Sequence, residues 1–408
     1  MTAASTAPGQ PRTPGRIDRP GIWLAIGGAV YLPFVLLGFG TDIDVPNVLR
    51  SGRAFVDDGR YEMSRGPGTV VHEVATGVLD RLGGSVLVNL SSLGFALVCL
   101  WCIHALLQTD GARWPTLAML VLATNPWFWI AATSLGDFTW ALGFVLAGAV
   151  VSQRGHAVAA GVLFGLALGC RASSVLLVLA WLVAQRTGDA TDRPRLAETV
   201  RTMVVMGVVG LLCFVPPWLA ADRTAQFLDN ELDFAGFGAH LGRWATKNVA
   251  VSGVLAGVVL LSGWRGLAGG LRRWSSSVVV RFAVVMLVLT ELLFLRFPFK
   301  PLHLLPAVAA VALLVGASPA LTRRWIALLL VAQLVAGVVG TTIASPDVVD
   351  GASTGRLQLG LTAGVVLTDV RCRLDDRERG PWDDPGSEAA TIRAAENAAC
   401  QSQSWRAP

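Results

Sequence analysis

Apolar runs of about 20 residues recur along this chain from position 21 to position 343, and they constrain its fold more than any other feature. As a helix, each run is long enough to cross a hydrocarbon core about 30 Å thick. The chain has 408 residues, of which 53% are hydrophobic and 15% charged. A soluble domain carries about 25% charged residues, so this composition argues against that class. The sequence predicts an all-α, polytopic helical membrane protein.

We predict about 11 transmembrane helices from these runs. They cover residues 21–40, 85–107, 115–132, 136–152, 157–170, 172–185, 202–220, 248–263, 277–296, 302–317 and 324–344. Arginines such as Arg113, Arg154 and Arg186 concentrate in short alternate loops, which the positive-inside rule assigns to the cytoplasm. The N-terminus is then cytoplasmic, and the polar loops 41–84 and 221–247 lie outside.

The composition divides the chain into three parts. Residues 1–20 are rich in Pro, Thr and Ala and predict a disordered cytoplasmic leader. Residues 21–344 form the membrane domain, whose first outer loop, 41–84, carries the candidate site. Residues 345–408 form an extracytoplasmic tail, where oxidising conditions make a disulfide between its two cysteines plausible. The run 21–40 is long for a signal peptide and lacks a cleavage motif, so it predicts an uncleaved first span in the cell membrane.

Two further features concern the surfaces of this membrane domain. In residues 69–82, apolar side chains share one helical face, which predicts an interfacial helix in the first outer loop. The apolar stretch 157–185 is interrupted by Arg171, and a guanidinium in the membrane needs a water-filled or anionic site. We therefore expect two short helices that meet at Arg171 on the outer side.

Polar residues that could carry chemistry follow several of the predicted spans. Asp42 and Asp44 come just after the first span, and Arg65 lies in a Ser-Arg-Gly-Pro-Gly turn later in the same loop. Asp137 lies at the outer end of the span 136–152, after the short turn that separates it from the span containing Asn125-Pro126. Each of these residues can also have a purely structural role. An acid after a span can be solvated or can cap a helix, and Pro-Gly usually marks a turn.

In their order along the chain, these motifs resemble the integral-membrane glycosyltransferases of the GT-C superfamily. The stretch Gly59-Arg60-Tyr61, Ser64 to Gly68 and Glu73 is similar to the "G-x-Y … R-x-P-G-x-P … E" pattern of one branch. That branch contains the protein O-mannosyltransferases and the lipid A aminoarabinose transferases. Residues 297–306 resemble its late "R/H-Y-L-L-P" segment, although the usual Tyr is a Leu here, and the tail has no counterpart.

The resemblance implies transfer of a sugar from a polyprenyl-phosphate donor to a lipid, polysaccharide or protein acceptor outside the cytoplasm. Inverting transfer needs a carboxylate that accepts the acceptor's proton, so Asp42 or Asp44 is the candidate base, with a slight preference for Asp42 beside the span. Cationic or imidazole side chains would bind the donor phosphate, and these are Arg65, Arg171, Lys300 and His303. Residues expected to orient the substrate are Asp137, Tyr61 and Glu73.

No cofactor, metal or nucleic acid is expected among the partners. Two carboxylates are too few for a hard cation that takes six or more oxygen ligands. The net charge of +5 comes from loop arginines that orient the protein in the bilayer, so it does not indicate a nucleic-acid surface. Cys99 and Cys102 lie within a span, where thiols usually serve as small apolar packing groups.

Two other functions remain open from the sequence. A transporter or flippase for lipid-linked sugars would explain Arg171 and Glu291 within apolar segments, but no inverted repeat is visible. A non-catalytic membrane assembly subunit would carry the same acids without needing them. A purely structural alternative also exists for three of the candidates: Arg171 would extend to the lipid headgroups, and Lys300 and His303 would anchor the chain at the interface.

Overall fold

A computed structural model of the chain describes residues 19–187, 196–222, 237–344 and 358–402. Nearly all of the predicted leader, and residues 345–357 at the start of the predicted tail, lie outside these ranges. Seventeen α-helices occur within the described ranges, and they are α1 Pro20–Val35, α2 Val45–Asp58, α3 Val70–Thr109, α4 Pro115–Ala123, α5 Pro126–Thr133, α6 Phe138–Gln153, α7 Ala157–Cys170, α8 Ser174–Arg186, α9 Leu196–Ala220, α10 Phe237–Ser252, α11 Val254–Ser262, α12 Trp264–Gly270, α13 Val278–Arg296, α14 Leu305–Ala317, α15 Arg323–Val338, α16 Val365–Glu378 and α17 Glu388–Ser402.

The predicted all-α class is confirmed, and the apolar helices are those of a multi-pass membrane protein. By length and composition, α3, α9 and α13 can each cross a bilayer, and two bent pairs raise the count in the described ranges to five. Five shorter apolar segments account for further predicted spans. The count of eleven is therefore not confirmed: ten of the predicted runs fall on these helices, whereas the run 324–344 covers α15 and the strand Val339–Ala344.

A broken helix replaces the third predicted span. α4 and α5 are bent by 71° at Asn125-Pro126. Pro126 has no N–H to continue the hydrogen-bond ladder of α4. Asn125 instead begins α5, because its side chain accepts hydrogen bonds from Trp127 N and Phe128 N, each at 3.1 Å. The bend brings the carboxyl end of α5 towards the residues that follow α1.

The predicted interfacial helix and the second predicted span follow each other directly in α3, as two helical segments on either side of a non-helical break. The expected boundary survives as a kink at Gly83-Gly84. Gly84 has φ +60° and ψ −152°, a backbone conformation that residues other than glycine rarely adopt. A substitution at this position would therefore strain the kink.

An additional helix, α2, occupies part of the predicted polar loop. It packs on the first turns of α3 with almost no space between the backbones, since a Cβ on Gly77 would lie 2.1 Å from Gly52 O. Its apolar residues Val45, Val48 and Leu49 are buried. α2 thus covers one side of the first outer loop and holds the residues around it against α3.

The expected break at Arg171 is present between α7 and α8. α7 packs along α9, and Thr202 Oγ1 of α9 donates to Ala157 O at 3.2 Å. The largest fully buried apolar side chains in the described ranges come from the central helices and include Trp127, Phe164, Trp181 and Phe282. Close packing of these rings holds the bundle together, because lipid gives little hydrophobic drive between helices.

The C-terminal region begins with a short hairpin, a small departure from the all-α class. Strands β1 Val339–Ala344 and β2 Gln358–Ala363 pair antiparallel, with Val339 opposite Ala363 and Ala344 opposite Gln358. α16 and α17 follow, and Cys372 is disulfide-bonded to Cys400. α16 packs against α5 and α15, while α17 contacts α2. The tail therefore lies on the face of the bundle where α1 and α5 end.

Candidate functional site

A cavity of about 570 Å³ opens among the loops that follow several apolar helices. Six of the residues that the sequence predicted for the site line it together, and these are Asp44, Arg65, Asp137, Arg171, Lys300 and His303. The rest of the wall is largely apolar and includes Ile43, Leu293, Phe294 and Phe297. A concave apolar pocket with a few convergent polar groups is the usual form of a small-molecule or cofactor site.

Lys300 links the two acids of the first outer loop. Its Nζ donates to Asp42 Oδ1 at 2.6 Å and to Asp44 Oδ2 at 2.8 Å. Arg65 also pairs with the Asp44 carboxylate. Burial alone would raise the pKa of Asp44, but the charges of Lys300 and Arg65 outweigh it and lower that pKa. Asp44 is therefore a carboxylate at neutral pH.

Asp137 forms ion pairs with two arginines that line the cavity. Its Oδ2 accepts from Arg65 Nη2 at 2.7 Å and its Oδ1 from Arg171 Nη1 at 2.8 Å. The Asp137 side chain is 1% exposed. Burial again raises its pKa, and the two guanidinium groups more than offset this and lower the pKa. This carboxylate fixes the spacing of Arg65 and Arg171, which come from distant parts of the chain.

Arg171 contacts two rings in addition to Asp137. Its guanidinium carbon lies 4.2 Å from the centre of the Phe138 ring, within cation–π range. Its Nη2 donates to His303 Nε2 at 3.2 Å. Because a guanidinium has no acceptor, this geometry requires His303 to present a lone pair and hence to be neutral. Positive charge in the cavity therefore comes from Arg65, Arg171 and Lys300.

The two carboxylates that face the cavity do not act as helix caps. Asp44 precedes α2 and Asp137 precedes α6, yet neither side chain makes a capping hydrogen bond within the described residues. Both carboxylates bind cations from other loops instead. The backbone turn at Asp42 helps, because Asp44 N donates to Asp42 Oδ1 at 2.8 Å.

Asp42 and Asp44 face different spaces. The Asp44 side chain is 26% exposed and lines the large cavity. The Asp42 side chain is 16% exposed and lines a neighbouring void of about 10 Å³ with Thr41 and Ser134. A ligand in the large cavity would thus meet Asp44 rather than Asp42, which contacts Lys300 but does not line that cavity.

Tyr61 and Glu73 are near each other but are not part of the cavity wall in the described structure. Glu73 is fully buried and accepts hydrogen bonds from Tyr61 Oη, from Ser64 Oγ and, at 3.1 Å, from Ser64 N. Thr69 N also donates to it at 3.3 Å. These bonds hold both sides of the turn that carries Arg65 against the first turn of α3. Their contribution to the site is the position of that turn.

Phe138 and Phe299 are site residues that the sequence did not reveal. Phe138 lies under Arg171, and its ring centre is 5.5 Å from that of His303. Phe299 lines the cavity and its ring centre is 6.2 Å from that of His303. Both are next to charged candidates, Asp137 and Lys300. That adjacency was the available signal, but aromatic residues near span ends are common at membrane interfaces.

Metal binding has no evident donor set in the described ranges, since no group of three or more His, Cys, Asp and Glu side chains there could hold an ion. The cavity carboxylates are each bonded to Lys300, Arg65 or Arg171. The charge arrangement suits an anionic ligand that would share or replace these carboxylates.

Comparison with known proteins gives a fold relationship. No family model and no curated protein matches the sequence. A crystal structure of ArnT from Cupriavidus metallidurans in the apo state matches with a TM-score of 0.55 and 14% identity, covering 94% of this chain and 78% of ArnT. The chain has the ArnT fold. ArnT is a lipid A aminoarabinose transferase, a GT-C enzyme, so the predicted resemblance to that branch is confirmed for the fold.

A second ArnT structure from the same organism contains undecaprenyl phosphate. It matches with a TM-score of 0.58 and 16% identity, covering 96% of this chain and 78% of ArnT. The match includes nearly the whole chain, so the likeness to the ArnT fold is not confined to one part of the helical bundle.

Proposed function

We propose that this protein is a membrane glycosyltransferase that takes a sugar from a polyprenyl-phosphate donor. The observation that carries the proposal is a single cavity lined by the carboxylate of Asp44 and by the cations Arg65, Arg171 and Lys300. The ArnT fold supports it, and so does the undecaprenyl phosphate bound to one ArnT structure. An acid and several cations are what this reaction requires at neighbouring positions.

Asp44 is the proposed general base. Its carboxylate accepts the proton of an acceptor hydroxyl while the hydroxyl oxygen forms a bond to the anomeric carbon of the donor sugar. The bond between that carbon and the phosphate oxygen breaks, and its electron pair leaves with the polyprenyl phosphate. Attack from the face opposite the phosphate inverts the anomeric configuration. Asp44 fits this role better than Asp42 because it lines the large cavity.

The leaving phosphate is the proposed ligand of Lys300, Arg65 and Arg171. Lys300 uses two of its three N–H groups on Asp42 and Asp44, and each guanidinium carries five N–H groups. Donors therefore remain for phosphate oxygens without breaking every ion pair. Preorganised cations in a largely apolar cavity stabilise the charge that develops on the leaving group. His303 would assist Arg171, either by contacting the phosphate itself or by orienting the Arg171 guanidinium.

The remaining candidates would act through these groups. Asp42 would hold Lys300, and Asp137 would fix the spacing of Arg65 and Arg171. Tyr61 and Glu73 would orient the substrate indirectly, through the turn that carries Arg65. We place the cavity and the tail outside the cytoplasm and the N-terminus inside it, following the arginine distribution. The acceptor would then be an extracytoplasmic lipid, polysaccharide or protein.

A reconstituted assay tests this function. The purified full chain in liposomes is given a panel of radiolabelled undecaprenyl-phosphate sugars with membrane extract as the acceptor source. We expect one donor to lose its sugar to an extractable product, and Arg65→Gln to lower this rate about 100-fold. The matched control is Arg60→Gln, an exposed arginine five positions earlier in the same loop, with an expected change within about twofold.

Two results would overturn the proposal and separate it from its rivals. If the labelled donor crosses the bilayer chemically unchanged, as judged by the reaction of its sugar with an impermeant reagent added outside, the protein is a flippase for lipid-linked sugars. If no donor in a broad panel is either consumed or translocated while the protein remains folded, a non-catalytic assembly role is favoured.

A further inference from the structure

A buried arginine of the tail connects the ends of two helices. Arg373, on α16, has a side chain that is 1% exposed. Its Nη2 donates to Phe34 O at 2.9 Å and Gly38 O at 3.1 Å, at the carboxyl end of α1. The same nitrogen donates to Thr133 O at 2.6 Å, the last residue of α5. One guanidinium thus satisfies carbonyls at the negative ends of two helix dipoles.

The segments that leave these two helices lead directly to the carboxylates of the cavity. The chain passes from Gly38 to Asp42 and Asp44, and from Thr133 to Asp137. The two segments also bond to each other, since Leu135 N donates to Phe39 O at 2.7 Å. Any shift of the two helix ends relative to each other would therefore move Asp44 relative to Asp137, and with them the cations that they hold.

A second contact from α16 reaches the loop of Asp42 itself. Thr41 Oγ1 donates to Asp369 Oδ1 at 2.9 Å, and Arg373 Nη1 lies 3.4 Å from Asp369 Oδ2. Arg373 Nη1 also donates to Thr133 Oγ1 at 3.2 Å. Arg373 and Asp369 are four residues apart on one face of α16 and together contact both segments. The planar guanidinium with its fixed donors can span these acceptors at once, and an ammonium cannot reproduce that geometry.

The disulfide and α17 keep α16 in this place. Cys372, beside Arg373, is bonded to Cys400 on α17. Trp382, in the connection between α16 and α17, is buried in a cluster with Val45, Val48 and Leu49 of α2. Arg53 Nη1 of α2 donates to Trp382 O. The tail is therefore fixed on both flanks of the loop that bears Asp42 and Asp44.

We propose that Arg373, with Asp369, is a positioning residue that sets the separation of Asp44 and Asp137 by joining the carboxyl ends of α1 and α5. Neither residue lines the cavity, so their action is indirect. The inference rests on the proposed function for its catalytic consequence, but its structural content can be measured without a substrate. It gives the C-terminal tail a role in the reaction that is independent of which acceptor is used.

The acid limb of the pH profile distinguishes positioning from a general loss of folded protein. Burial and the charge of Asp137 disfavour the carboxylate form of Asp44, whereas Lys300 and Arg65, which contact it, favour that form; Asp42 shares Lys300 with Asp44. If the loop moves away from the cations, the lowered pKa of Asp44 returns upwards. The rate would then begin to fall at a higher pH on acidification. Because a destabilised variant also unfolds at a higher pH on acidification, rates are expressed per folded protein at each pH, and loss of folded protein alone then leaves the limb in place.

The experiment compares Arg373→Gln, Arg373→Lys and Thr41→Val in the purified full chain, with Arg379→Gln as the matched control. Arg379 is a more exposed arginine at the end of the same helix, paired with Glu396. Hydrogen exchange is measured for residues 36–45 and 131–138. We expect both segments to exchange about tenfold faster in the Arg373 variants and the first segment to do so in Thr41→Val, while Arg379→Gln is unchanged.

The catalytic readout uses the donor that the native chain consumes. We expect Arg373→Gln to lower kcat about 100-fold with a smaller change in KM, and to move the acid limb to higher pH, with partial rescue by Arg373→Lys. The proposal would be overturned if Arg373→Gln left hydrogen exchange unchanged in both segments, or if it left the acid limb of the pH profile unshifted. If that variant does not fold, Thr41→Val decides by the same two readouts. If the native chain consumes no donor, the proposed function fails, whereas positioning is still judged by exchange.

Discussion

At the scale of single residues, the site depends on ion pairs that are shared between loops. Asp137 is the most buried of its carboxylates, and it binds Arg65 and Arg171 at once. Removing one partner of a buried ion pair leaves uncompensated charge and costs about 3–5 kcal/mol. A pair on the surface contributes about 0–1 kcal/mol. The same substitution, Asp to Asn, should therefore have very different effects at the two kinds of position.

We expect Asp137→Asn to destabilise the protein by about 3–5 kcal/mol, because two guanidinium groups lose their shared carboxylate. Asp57→Asn is the control, since Asp57 pairs with the exposed Arg81 at 2.9 Å. Thermal unfolding of both variants in the same detergent, followed by tryptophan fluorescence, gives the comparison. Equal midpoints of thermal unfolding for the two variants would mean that the ion pairs of Asp137 stabilise the protein no more than the surface pair of Asp57.

The sequence could place acids after the first span and cations at Arg65, Arg171 and Lys300, because each lies in a motif at a span end. It could not establish which acid faces the cavity. Asp42 is nearer the span, but Asp44 is the one that lines the large cavity, and Lys300, which bonds both carboxylates, comes from a loop over 250 residues away. The neutral state of His303 likewise depends on a tertiary contact with Arg171.

At the scale of elements, the turn that carries Arg65 is held in place by the carboxylate of Glu73. Glu73 in the first turn of α3 receives hydrogen bonds from Tyr61, Ser64 and Thr69, on both sides of Arg65. An acceptor-only carboxylate suits four converging donors, and an amide does not, because its NH₂ group would face one or more of them. The position of Arg65 in the cavity should therefore depend on Glu73.

We expect Glu73→Gln to weaken binding of undecaprenyl phosphate about tenfold, since one buried donor would lose its acceptor and the turn would shift. Glu62→Gln is the control, because Glu62 lies in the same loop and pairs with the more exposed arginines Arg50 and Arg60. Binding measured by native mass spectrometry in detergent decides between them. An equal affinity in both variants would show that the turn does not need Glu73.

Hydrophobic runs located the apolar helices and the break at Arg171, but they revealed neither the bend between α4 and α5 nor the helix α2. The run that became α4 and α5 contains Pro126, yet the size of the bend depends on Asn125 capping the second helix. α2 was missed because Pro46 and Gly52 interrupt a weakly apolar segment, and Gly52 is there for close contact with Gly77. Such backbone contacts between distant segments leave little trace in the pattern of one segment.

At the scale of the whole molecule, the account requires the cavity and tail to share one side of the membrane. The ion pairs unite loops 41–68, 134–137, 171–173 and 297–303 around one cavity. The tail contacts the ends of α1 and α5 on that same face. Its disulfide agrees with an oxidising compartment. The orientation of the whole chain thus follows from the location of the tail.

We expect a membrane-impermeant maleimide to label the protein in intact cells after treatment with an impermeant reductant, at Cys400, which is partly exposed, rather than at the buried Cys372. The other four cysteines lie in or beside apolar helices, three of them buried. The double substitution Cys372→Ser with Cys400→Ser should abolish the labelling and serves as the control. Labelling that requires disruption of the membrane would place the tail, and with it the cavity, in the cytoplasm.

The most direct test of the account is single-turnover sugar transfer by Asp44→Asn beside Asp42→Asn, with undecaprenyl phosphate binding measured on the same samples. We expect Asp44→Asn to lower the transfer rate by about 10²–10⁴-fold without weakening phosphate binding, because Lys300 and Arg65 lose a competing anion while the base is removed. Asp42→Asn should lower the rate about tenfold, through Lys300. Native-rate transfer by Asp44→Asn would contradict the central claim that this carboxylate is the base.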